Sequence, residues 1–448
     1  MNTKKMTYDI DEMPPIGKAL ILAFQHLFAM FGATILVPIL VNAAAGETVL
    51  TIPVALVSSG IGTLIYILCT KGKSPVYLGS SFAFITPLAA AYMKGGIGGA
   101  MTGIMAVGLI YIIIALIIRF AGTKWINRLL PPVVIGPMIM IIGLGLAPSA
   151  ISQIGLSTGI DFDWKVTIVA LVSFLVTAIT MTKAKGFIKI IPFLIGIISG
   201  YIAAVIFGMI DFTAVSEASF FSIPKFIIPF KDYTPSFIAL ITIAPVALVT
   251  LCEHIGDHTS LSNIIDRDLL KDPGLSRTLM GDGLATFVAG AIGGPANTTY
   301  GENTSVVGMT KVASVKVIGI AAIMAILIGF LGKFTALIST IPNAVLGGVS
   351  LLLYGFIAVN GLKVLIKNQV DFEQSKNVVV ASSMLVLGLG GAAVSIVSGD
   401  LSVTISGMSL ASIIGITLNL VLPNDKKLIE NEKPVAKSKN DKNKIKKR

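Results

Sequence analysis

The sequence predicts an all-α polytopic membrane protein with fourteen transmembrane spans. Of its 448 residues, 54% are hydrophobic and only 13% are charged, and the mean hydropathy is +0.88. A soluble globular domain carries roughly a quarter charged residues. Apolar runs long enough to cross a bilayer recur along the whole chain, and the basic residues between them fall in alternate connections. Together these observations exclude a soluble protein and favour one embedded in lipid.

The spans follow from the length of the apolar runs. About 20 helical residues cross a hydrocarbon core of roughly 30 Å. The third, ninth and tenth runs are the least apolar. The predicted spans are 17–40, 50–70, 76–92, 97–119, 129–148, 165–182, 187–209, 236–257, 276–293, 296–312, 315–334, 342–365, 377–397 and 402–422.

The charges of the connections predict the orientation. If the N-terminus lies in the cytoplasm, the cytoplasmic connections hold sixteen Lys and Arg residues and the outer connections hold five. This asymmetry is what the positive-inside rule requires, and one missed span would have scrambled it. We therefore expect both termini to be cytoplasmic.

The net charge of +11 does not indicate a nucleic-acid partner. Residues 424–448 contain ten Lys and Arg against four acids and so supply +6 of that charge. This tail has no apolar period, and we predict a disordered cytoplasmic segment, with contact to anionic lipid as the alternative. Cys69 and Cys252 lie in apolar context and form no disulfide framework. No cleavable signal peptide is expected before the first long span.

Two interrupted spans predict an inverted repeat. The third span, VYLGSSFAFITPLAAAY (76–92), and the tenth, which includes GGPANTTYGENTSVVG (293–308), are rich in Gly, Ser, Thr and Asn. Each is the third of seven spans in its half. The pairs Gln25-His26 and Glu253-His254 repeat 228 residues apart. Seven is odd, so the second half is inverted, and paired broken segments in such halves indicate a transporter site at the midplane.

The broken segments predict a local structure. Irregular backbone at membrane depth persists only where it is buried in protein or faces a cavity. We expect a short β-strand near 298–300, followed by a half-helix capped by Asn303, Thr304 or Ser305. Its free N–H groups would face a ligand. Residues 77–81 should do the same from the other half. The alternative is a kinked or re-entrant segment without a ligand.

Four acids fall inside the predicted spans: Glu253, Asp257, Asp282 and Glu302. A buried acid is costly and indicates a functional site. Glu253 and Asp257 are four residues apart and share a helix face, so this crowded pair can carry a proton near neutral pH. The alternative for Glu253 is a fixed partner of a hydroxyl or backbone group. Asp257, near the predicted helix end, has a structural alternative too, and Asp282 is expected to hold a turn at span nine.

Metal and enzyme chemistry find no support in the sequence. His26, His254 and His258 are the only histidines, EHIGDH is not a zinc-protease pattern, and no set of Cys and His ligands converges. Cys252 beside Glu253 does not form a nucleophile–base pair, because adjacent helix residues point about 100° apart. We expect no cofactor, no bound metal and no enzymatic activity.

Several motifs together resemble the nucleobase–cation symporter family, also called the nucleobase–ascorbate transporters. They are QHLFAMFGATILVP (25–38), SSFAF (80–84), EHIG (253–256), NTTYGENTSVVGMTK (297–311) and SLLLYG (350–355). The family signature is an acid or Gln, Asn, any residue, Gly, four residues, Thr, and a basic residue or Gly. Here it begins at Glu302, with Ser305 where Gly is usual. The motifs spread over the whole chain and are most similar to those of the bacterial uracil permeases.

The resemblance implies two domains built from fourteen spans in two inverted repeats. Spans one to four and eight to eleven would form a core, and the remaining spans a gate. Short strands in spans three and ten would hold the substrate. The implied divisions are a cytoplasmic segment at 1–16, core parts at 17–120 and 236–334, gate parts at 121–210 and 342–422, and the tail at 424–448.

The resemblance also implies site residues. Glu253 and Glu302 would accept the N–H groups of uracil, Gly301 would offer its backbone N–H to a carbonyl, Ala33 and Phe82 would line the pocket, and Tyr354 would contact the substrate from the gate side.

Proton coupling is implied at Glu253, with one departure from the family pattern. The best-known uracil permeases have a His four residues after the glutamate of span eight. This chain has Asp257 there and His258 one residue later. We expect coupling to involve Glu253, Asp257 and His258.

The expected function is proton-coupled uptake of uracil by alternating access in a bacterial plasma membrane. The resemblance also implies a homodimer joined through gate faces. One alternative keeps the mechanism but changes the substrate to xanthine, uric acid or another nucleobase. A second is an anion channel or exchanger, which Glu302 at the half-helix mouth disfavours by repulsion. A third is a passive receptor that binds a pyrimidine without accumulating it.

Overall fold

A computed structural model describes residues 6–159, 161–236, 243–398 and 401–423. The described elements of the first half are α1 (Ile16–Ala45), α2 (Ile52–Cys69), β1 (Leu78–Ser80), a 3₁₀ turn (Phe82–Phe84), α3 (Ile85–Ala121), α4 (Lys124–Leu129), α5 (Pro132–Gly145), α6 (Ala147–Gln153), α7 (Trp164–Lys183), a 3₁₀ turn (Gly186–Ile190), α8 (Pro192–Ile206) and α9 (Thr213–Glu217). Those of the second half are α10 (Val246–Ile265), a π-helical turn (Leu270–Gly274), α11 (Leu275–Ala291), β2 (Asn297–Thr299), α12 (Gly301–Thr310), α13 (Val315–Gly329), α14 (Gly332–Ser339), α15 (Asn343–Lys367), α16 (Ser375–Leu389), β3 (Ala393–Ser398), β4 (Leu401–Ser406) and α17 (Gly407–Val421).

The helices are those of a multi-pass membrane protein. Within the described ranges, six helical stretches are long and apolar enough to cross a bilayer, and four more apolar helices have 15 residues each. A 15-residue helix is about 22 Å long, short of the roughly 30 Å hydrocarbon core. Large apolar side chains such as Leu68, Phe120 and Ile206 are more than three-quarters exposed, as lipid-facing side chains are.

The predicted boundary between spans three and four is confirmed. Gly95 and Gly96 interrupt α3 with non-helical backbone, and Gly96 has φ 58°. A residue with a side chain is strained at such an angle, whereas glycine adopts it readily. The break separates the segment that follows β1 from the apolar run that ends at Ala121.

The helices pack in two sets. α3, α2 and α13 pack with α11 and α1 in one set. In the other set α5, α7 and α8 pack with α15, and α16 packs against α5. Close approach depends on small residues: a Cβ added at Gly108 of α3 would lie 2.6 Å from the Gly283 carbonyl oxygen of α11. Small residues at helix crossings are typical of membrane proteins. α10 contacts α3 of the first set and α5 of the second, and it also contacts α12 and α17.

The predicted eighth span is shifted along the chain. It was expected at 236–257, but α10 runs from Val246 to Ile265, and residues 237–242 lie outside the described part. Asp257 is therefore inside the helix rather than near its end, and its expected helix-end position was wrong. Hydropathy misplaced this helix because its second half carries polar residues that pack inside the protein instead of facing lipid.

The predicted spans at 377–397 and 402–422 are also shorter than expected. α16 ends at Leu389 and α17 begins at Gly407, and between them β3 and β4 pair antiparallel from Ala393↔Ser406 to Ser398↔Leu401. The sequence AVSIVSGDLSVTIS alternates apolar and hydroxyl residues with a period of two, which favours strands. Hydropathy alone does not distinguish such a hairpin from the end of a helix.

Candidate substrate site

The two broken segments meet as a pair of short strands. β1 pairs antiparallel with β2 through Leu78↔Thr299, Gly79↔Thr298 and Ser80↔Asn297. The Tyr300 N–H donates to the Tyr77 carbonyl (3.1 Å) and the Ser81 N–H to the Ala296 carbonyl (2.9 Å), which extends the ladder at both ends. The predicted strand in each segment is thus confirmed, and the helices that follow both begin beside this ladder.

The half-helix α12 begins earlier than predicted. Its first residue is Gly301, after Tyr300, so Asn303, Thr304 and Ser305 lie within the first two turns and do not cap it. The Thr304 and Ser305 hydroxyls donate instead to the carbonyls of Tyr300 (3.3 Å) and Gly301 (3.0 Å). Such i−4 bonds compete with capping. No side chain caps the helix at Tyr300, so the first N–H groups keep no intrahelical partner.

Three carboxylates line a single cavity of about 530 Å³. Glu253 and Asp257 come from one face of α10, and Glu302 comes from the first turn of α12. All three are half-buried. The structure thus brings these three acids together beside the broken segments.

The hydroxyls of β2 orient two of these acids. Thr298 Oγ1 donates to Glu253 Oε2 at 3.4 Å, and Thr299 Oγ1 donates to Asp257 Oδ2 at 2.6 Å. The strand therefore holds both carboxylates in place, and one oxygen of each stays available to another partner. Sequence reasoning treated Thr298 and Thr299 only as strand formers. Their role could have been suspected from hydroxyl side chains placed in a segment at bilayer depth.

Of the remaining predicted site residues, two line the cavity and two do not. Phe82 and Gly301 line the cavity. Tyr354 is buried behind Phe82, with ring centroids 6.0 Å apart and planes at 77°. Ala33 lies with Glu302 at a separate small void between α1, α8 and α15. An edge-to-face pair such as Phe82–Tyr354 fixes the orientation of both rings, so Tyr354 reaches the cavity only through Phe82 here.

His258 faces away from the cavity. Its Nδ1 donates to the His254 carbonyl (2.7 Å), so its Nε2 accepts from the Tyr66 hydroxyl (2.6 Å). His254 stacks on it with ring centroids 4.1 Å apart. Both rings are fully buried against α2 and α11. The structure therefore does not bring His258 together with Glu253 and Asp257.

Asp282 does not hold a turn, as the sequence had suggested. Its Oδ2 lies 2.8 Å from His254 Nδ1, and His254 Nε2 lies 3.0 Å from Thr278 Oγ1. Asp282 and His254 are completely buried. A buried carboxylate requires a partner, and the neighbouring helix supplies it; the sequence could not show which residue that would be.

Asn360 is a cavity residue that sequence reasoning missed. It lies on α15 and lines the same cavity as Asp257 and Gly301. An amide within the apolar run YGFIAVNGL was the available signal, since a polar side chain in a span has a partner or a function. In the described part of the chain, no group of three or more His, Cys, Asp or Glu residues could hold a metal ion.

Residues 17–397 match a family of transport proteins described as the Permease family. The chain belongs to this family. A permease moves a solute across a membrane, so this permease is a transporter and not an enzyme. Two curated relatives match nearly its whole length. The uracil permease of Bacillus subtilis (strain 168) is 48% identical over 432 residues, which are 95% of this chain and 97% of that relative. The uracil permease of Escherichia coli (strain K12) is 42% identical over 418 residues, which are 92% and 93% of the two chains.

Solved structures resemble this permease in fold. The transmembrane domain of the cyanobacterial bicarbonate transporter BicA matches with a TM-score of 0.59 at 15% identity, covering 90% of this chain and 97% of that one. Murine solute carrier 26 family member A9, an anion transporter in the inward-facing state, matches with a TM-score of 0.64 at 13% identity, covering 92% and 68%. At these identities the likeness concerns the fold alone.

Proposed function

We propose that this permease takes up uracil across the bacterial plasma membrane, coupled to inward proton flow. The support from relatives is direct: curated relatives of 48% and 42% identity over nearly the whole chain are named uracil permeases. The support from the site is the pairing of β1 with β2, which is the observation that carries the proposal. That pairing aligns the broken segments so that acids from α10 and α12 share one cavity.

The chemistry of the cavity matches uracil. Uracil is a flat, neutral diamide with two N–H donors and two carbonyl acceptors. Glu253 and Glu302 offer carboxylate acceptors, the backbone N–H at Gly301 offers a donor, and Phe82 offers a ring face. Ala33 and Tyr354 support the pocket from behind Glu302 and Phe82. A site of matched donors and acceptors discriminates strongly, because a ligand lacking one group leaves a buried partner unpaired.

The proposed architecture has fourteen spans in two inverted repeats of seven. The antiparallel pairing of two short strands, each in the third span of its half, supports this symmetry. The two sets of packed helices correspond to the proposed core and gate, with α10 between them. Movement of one set against the other would expose the cavity alternately to the two sides of the membrane.

We assign proton coupling to Glu253 and Asp257. Both are half-buried at the cavity, four residues apart on one helix face, and each already accepts a bond from a threonine of β2. His258 is bonded to Tyr66 and His254 instead, which favours a supporting role behind the acids. Proton binding and uracil binding must each strengthen the other, since coupling between two ligands is reciprocal.

The cavity side of α15 indicates which face of the membrane is open. Lys363, Lys367 and Asn368 line the cavity at the end of that helix, and the positive-inside rule places these lysines in the cytoplasm. We therefore propose cytoplasmic termini and a cavity that opens inward. A homodimer joined by the gate set remains part of the proposal.

Uptake of radiolabelled uracil into cells that lack their own uracil permease tests the function. We expect accumulation that rises as external pH falls and that a protonophore abolishes. Accumulation that ignored both would contradict the coupling. Unlabelled xanthine or uric acid that competed as well as uracil would shift the substrate class to purines. Current under a chloride gradient without nucleobase would indicate an anion channel or exchanger, and binding without accumulation would indicate a receptor.

A further inference from the structure

Asn360 and Asp257 face the same cavity from opposite walls. Asn360 belongs to α15, in one packed set of helices, and Asp257 belongs to α10, whose neighbours include both sets. We propose that Asn360 is a positioning residue: its amide Nδ2–H₂ donates to Asp257 Oδ1 when the cavity closes and so latches α15 to α10. This inference rests on the proposed transport cycle, because it assigns a contact to the closed form of that cavity.

Asp257 has one oxygen engaged and one unengaged. Oδ2 accepts the Thr299 hydroxyl at 2.6 Å. No hydrogen bond to Oδ1 is present among the residues that the structure describes. A carboxylate away from bulk water is stabilised by further donors, and within the described ranges Oδ1 has no donor.

The orientation of the Asn360 amide follows from Lys363. Lys363 Nζ donates to Asn360 Oδ1 at 3.3 Å, and the same ammonium lies 5.3 Å from the centre of the Phe356 ring. Because Lys has no acceptor, the atom that faces it must be the amide oxygen. The Nδ2–H₂ group is thereby directed away from Lys363, and within the described chain it has no acceptor.

Gly301 marks the point where the two groups converge. A Cβ added there would lie 3.8 Å from Asn360 Nδ2 and 3.9 Å from Asp257 Oδ1, with no other atom as near. The two side chains thus flank the first residue of α12, which carries Glu302. A hydrogen bond needs about 2.7–3.2 Å between heavy atoms, so α15 must approach α10 for Asn360 Nδ2 to reach Asp257 Oδ1.

The latch would stabilise the closed form of the cavity and would not contact the substrate. It joins two protein groups beside the start of α12, so its loss would destabilise the closed form while the acids that face the substrate remain. Asn and Asp have the same shape, and exchanging them preserves one donor and one acceptor. The exchange therefore distinguishes a hydrogen bond from a space-filling role, since a residue that only fills space would gain nothing from the change at position 257.

The test compares three variants with the native chain: Asn360→Leu, Asn360→Asp, and the exchange Asp257→Asn with Asn360→Asp. We expect Asn360→Leu to lower the maximal uracil uptake rate about tenfold or more, the range of one hydrogen bond to a charged group, with much less change in uracil affinity. Asn360→Asp should lower the uptake rate further, because its carboxylate and that of Asp257 repel each other. The exchange is judged by the distance measurement below and not by the uptake rate, because it also removes the Asp257 carboxylate that the proposed coupling uses. Asn368→Leu is the matched control, since Asn368 lines the cavity but bonds its own helix at Val364.

A second readout needs no substrate. Spin labels at positions 263 and 367, both on the cavity lining, report the separation of α10 and α15 in a chain whose two cysteines are replaced by alanine. We expect a population at shorter distance in the native background that shrinks in Asn360→Leu and returns in the exchange. The latch would be overturned if the native background and Asn360→Leu gave identical distance distributions. It would also be overturned if the exchange showed no larger short-distance population than Asn360→Asp alone. Failure of uracil uptake by the native chain, with the distances behaving as expected, would instead count against the proposed substrate.

Discussion

The Tyr300 hydroxyl donates to the Ser80 carbonyl oxygen across 3.0 Å. Tyr300 precedes α12 and Ser80 ends β1, so this bond joins the two broken segments outside the strand ladder. Thr34 of α1 lies 3.0 Å from the same hydroxyl, and because that hydroxyl donates to Ser80, Thr34 donates to it. The Tyr300 side chain is 3% exposed. One buried phenol therefore fixes α1, β1 and the start of α12 relative to one another.

Gly79 provides the space for the Tyr300 ring. A Cβ at Gly79 would lie 2.4 Å from two ring carbons and 2.7 Å from the hydroxyl oxygen. We predict that Gly79→Ala costs about 1 to 3 kcal/mol of stability, the usual range for overpacking, and that it weakens uracil binding by displacing Tyr300. The thermal unfolding midpoint in detergent and a binding isotherm measure the two effects. Gly145→Ala is the control, because no atom lies within 4 Å of a Cβ added there; equal effects of the two variants would contradict the steric argument.

Removing only the hydroxyl separates bonding from packing. Tyr300→Phe keeps the ring but leaves the Ser80 carbonyl and the Thr34 hydroxyl without this partner in a buried site. We expect a loss of about 1 to 3 kcal/mol, as for buried groups left unsatisfied, seen as a lower unfolding midpoint. Tyr8→Phe is the control, since the Tyr8 hydroxyl has no bond to any residue in the described ranges. A midpoint unchanged in Tyr300→Phe would show that the phenol oxygen does not stabilise the strand pair.

The sequence was sufficient where one physical signal acts alone. Apolar runs predicted the helices because hydrocarbon admits little else, and the polar interruptions at 76–92 and 293–308 predicted strands at bilayer depth because such backbone must be paired. The acids Glu253 and Glu302 stood out because charge is rare inside spans. None of these inferences required knowledge of which side chains touch.

The sequence was insufficient where the position of a side chain or a helix depends on its contacts with other parts of the protein. His254 and His258 look like neighbours of Glu253, yet their rings are directed toward Asp282 and Tyr66 on other helices. Helix α10 extends through polar residues because protein surrounds it, which hydropathy does not detect. The start of α12 at Gly301 was missed because Ser and Thr satisfy their hydroxyls within a helix as readily as they cap one.

Replacing either glutamate of the proposed site should strongly weaken uracil binding. Glu302→Gln and Glu253→Gln each replace an acceptor with an amide whose N–H₂ group opposes the uracil N–H. We expect uracil affinity to fall about a hundredfold or more, because a buried donor is left unpaired. Titration of purified protein with uracil measures this.

Ser305→Ala serves as the matched control for the carboxylate variants. Ser305 lies on the same half-helix and lines the same cavity, but its hydroxyl bonds the Gly301 carbonyl. The affinity of the Ser305→Ala variant for uracil should stay close to that of the native chain. Near-native affinity in Glu302→Gln would remove that residue from the substrate site, whatever the effect of Ser305→Ala.

A strap formed by residues 7–10 holds the far end of α12. The Ala313 and Val315 N–H groups donate to the Tyr8 and Ile10 carbonyls (2.9 and 3.0 Å), and Ile10 is buried at 2% exposure. Asp9 of the strap pairs with Arg267, just beyond α10. The strap therefore touches both acid-bearing helices.

The buried side chain of Ile10 should contribute more to the stability of the strap than the ion pair of Arg267 does. Ile10→Ala should cost about 2 to 5 kcal/mol, because it opens a cavity in a packed cluster. Arg267→Ala should cost less than about 1 kcal/mol, because both partners of the ion pair are almost half exposed. Unfolding midpoints of the two variants, measured at low and high salt, test this ranking. A larger loss in Arg267→Ala, or one that salt does not reduce, would contradict it.

Asp282 tests whether the buried histidine cluster is held by charge or by shape. The carboxylate faces His254 Nδ1 at 2.8 Å in a site with no solvent exposure. Asp282→Ala removes the partner and leaves the ring nitrogen unpaired, and breaking a buried pair in this way costs about 3 to 5 kcal/mol. Asp282→Asn keeps an oxygen that accepts from Nδ1–H, so its cost should be much smaller.

The comparison of these two variants is made on folded yield and on the unfolding midpoint in detergent. We expect Asp282→Ala to yield little folded protein and Asp282→Asn to yield an amount nearer to native. Asp232→Ala is the control, since that exposed carboxylate bonds only the Ile228 N–H among the described residues. If both Asp282 variants were equally damaging, the negative charge itself, and not the hydrogen bond to His254, would be what α10 and α11 require to pack. The two outcomes differ because an amide reproduces the geometry of the carboxylate but not its charge.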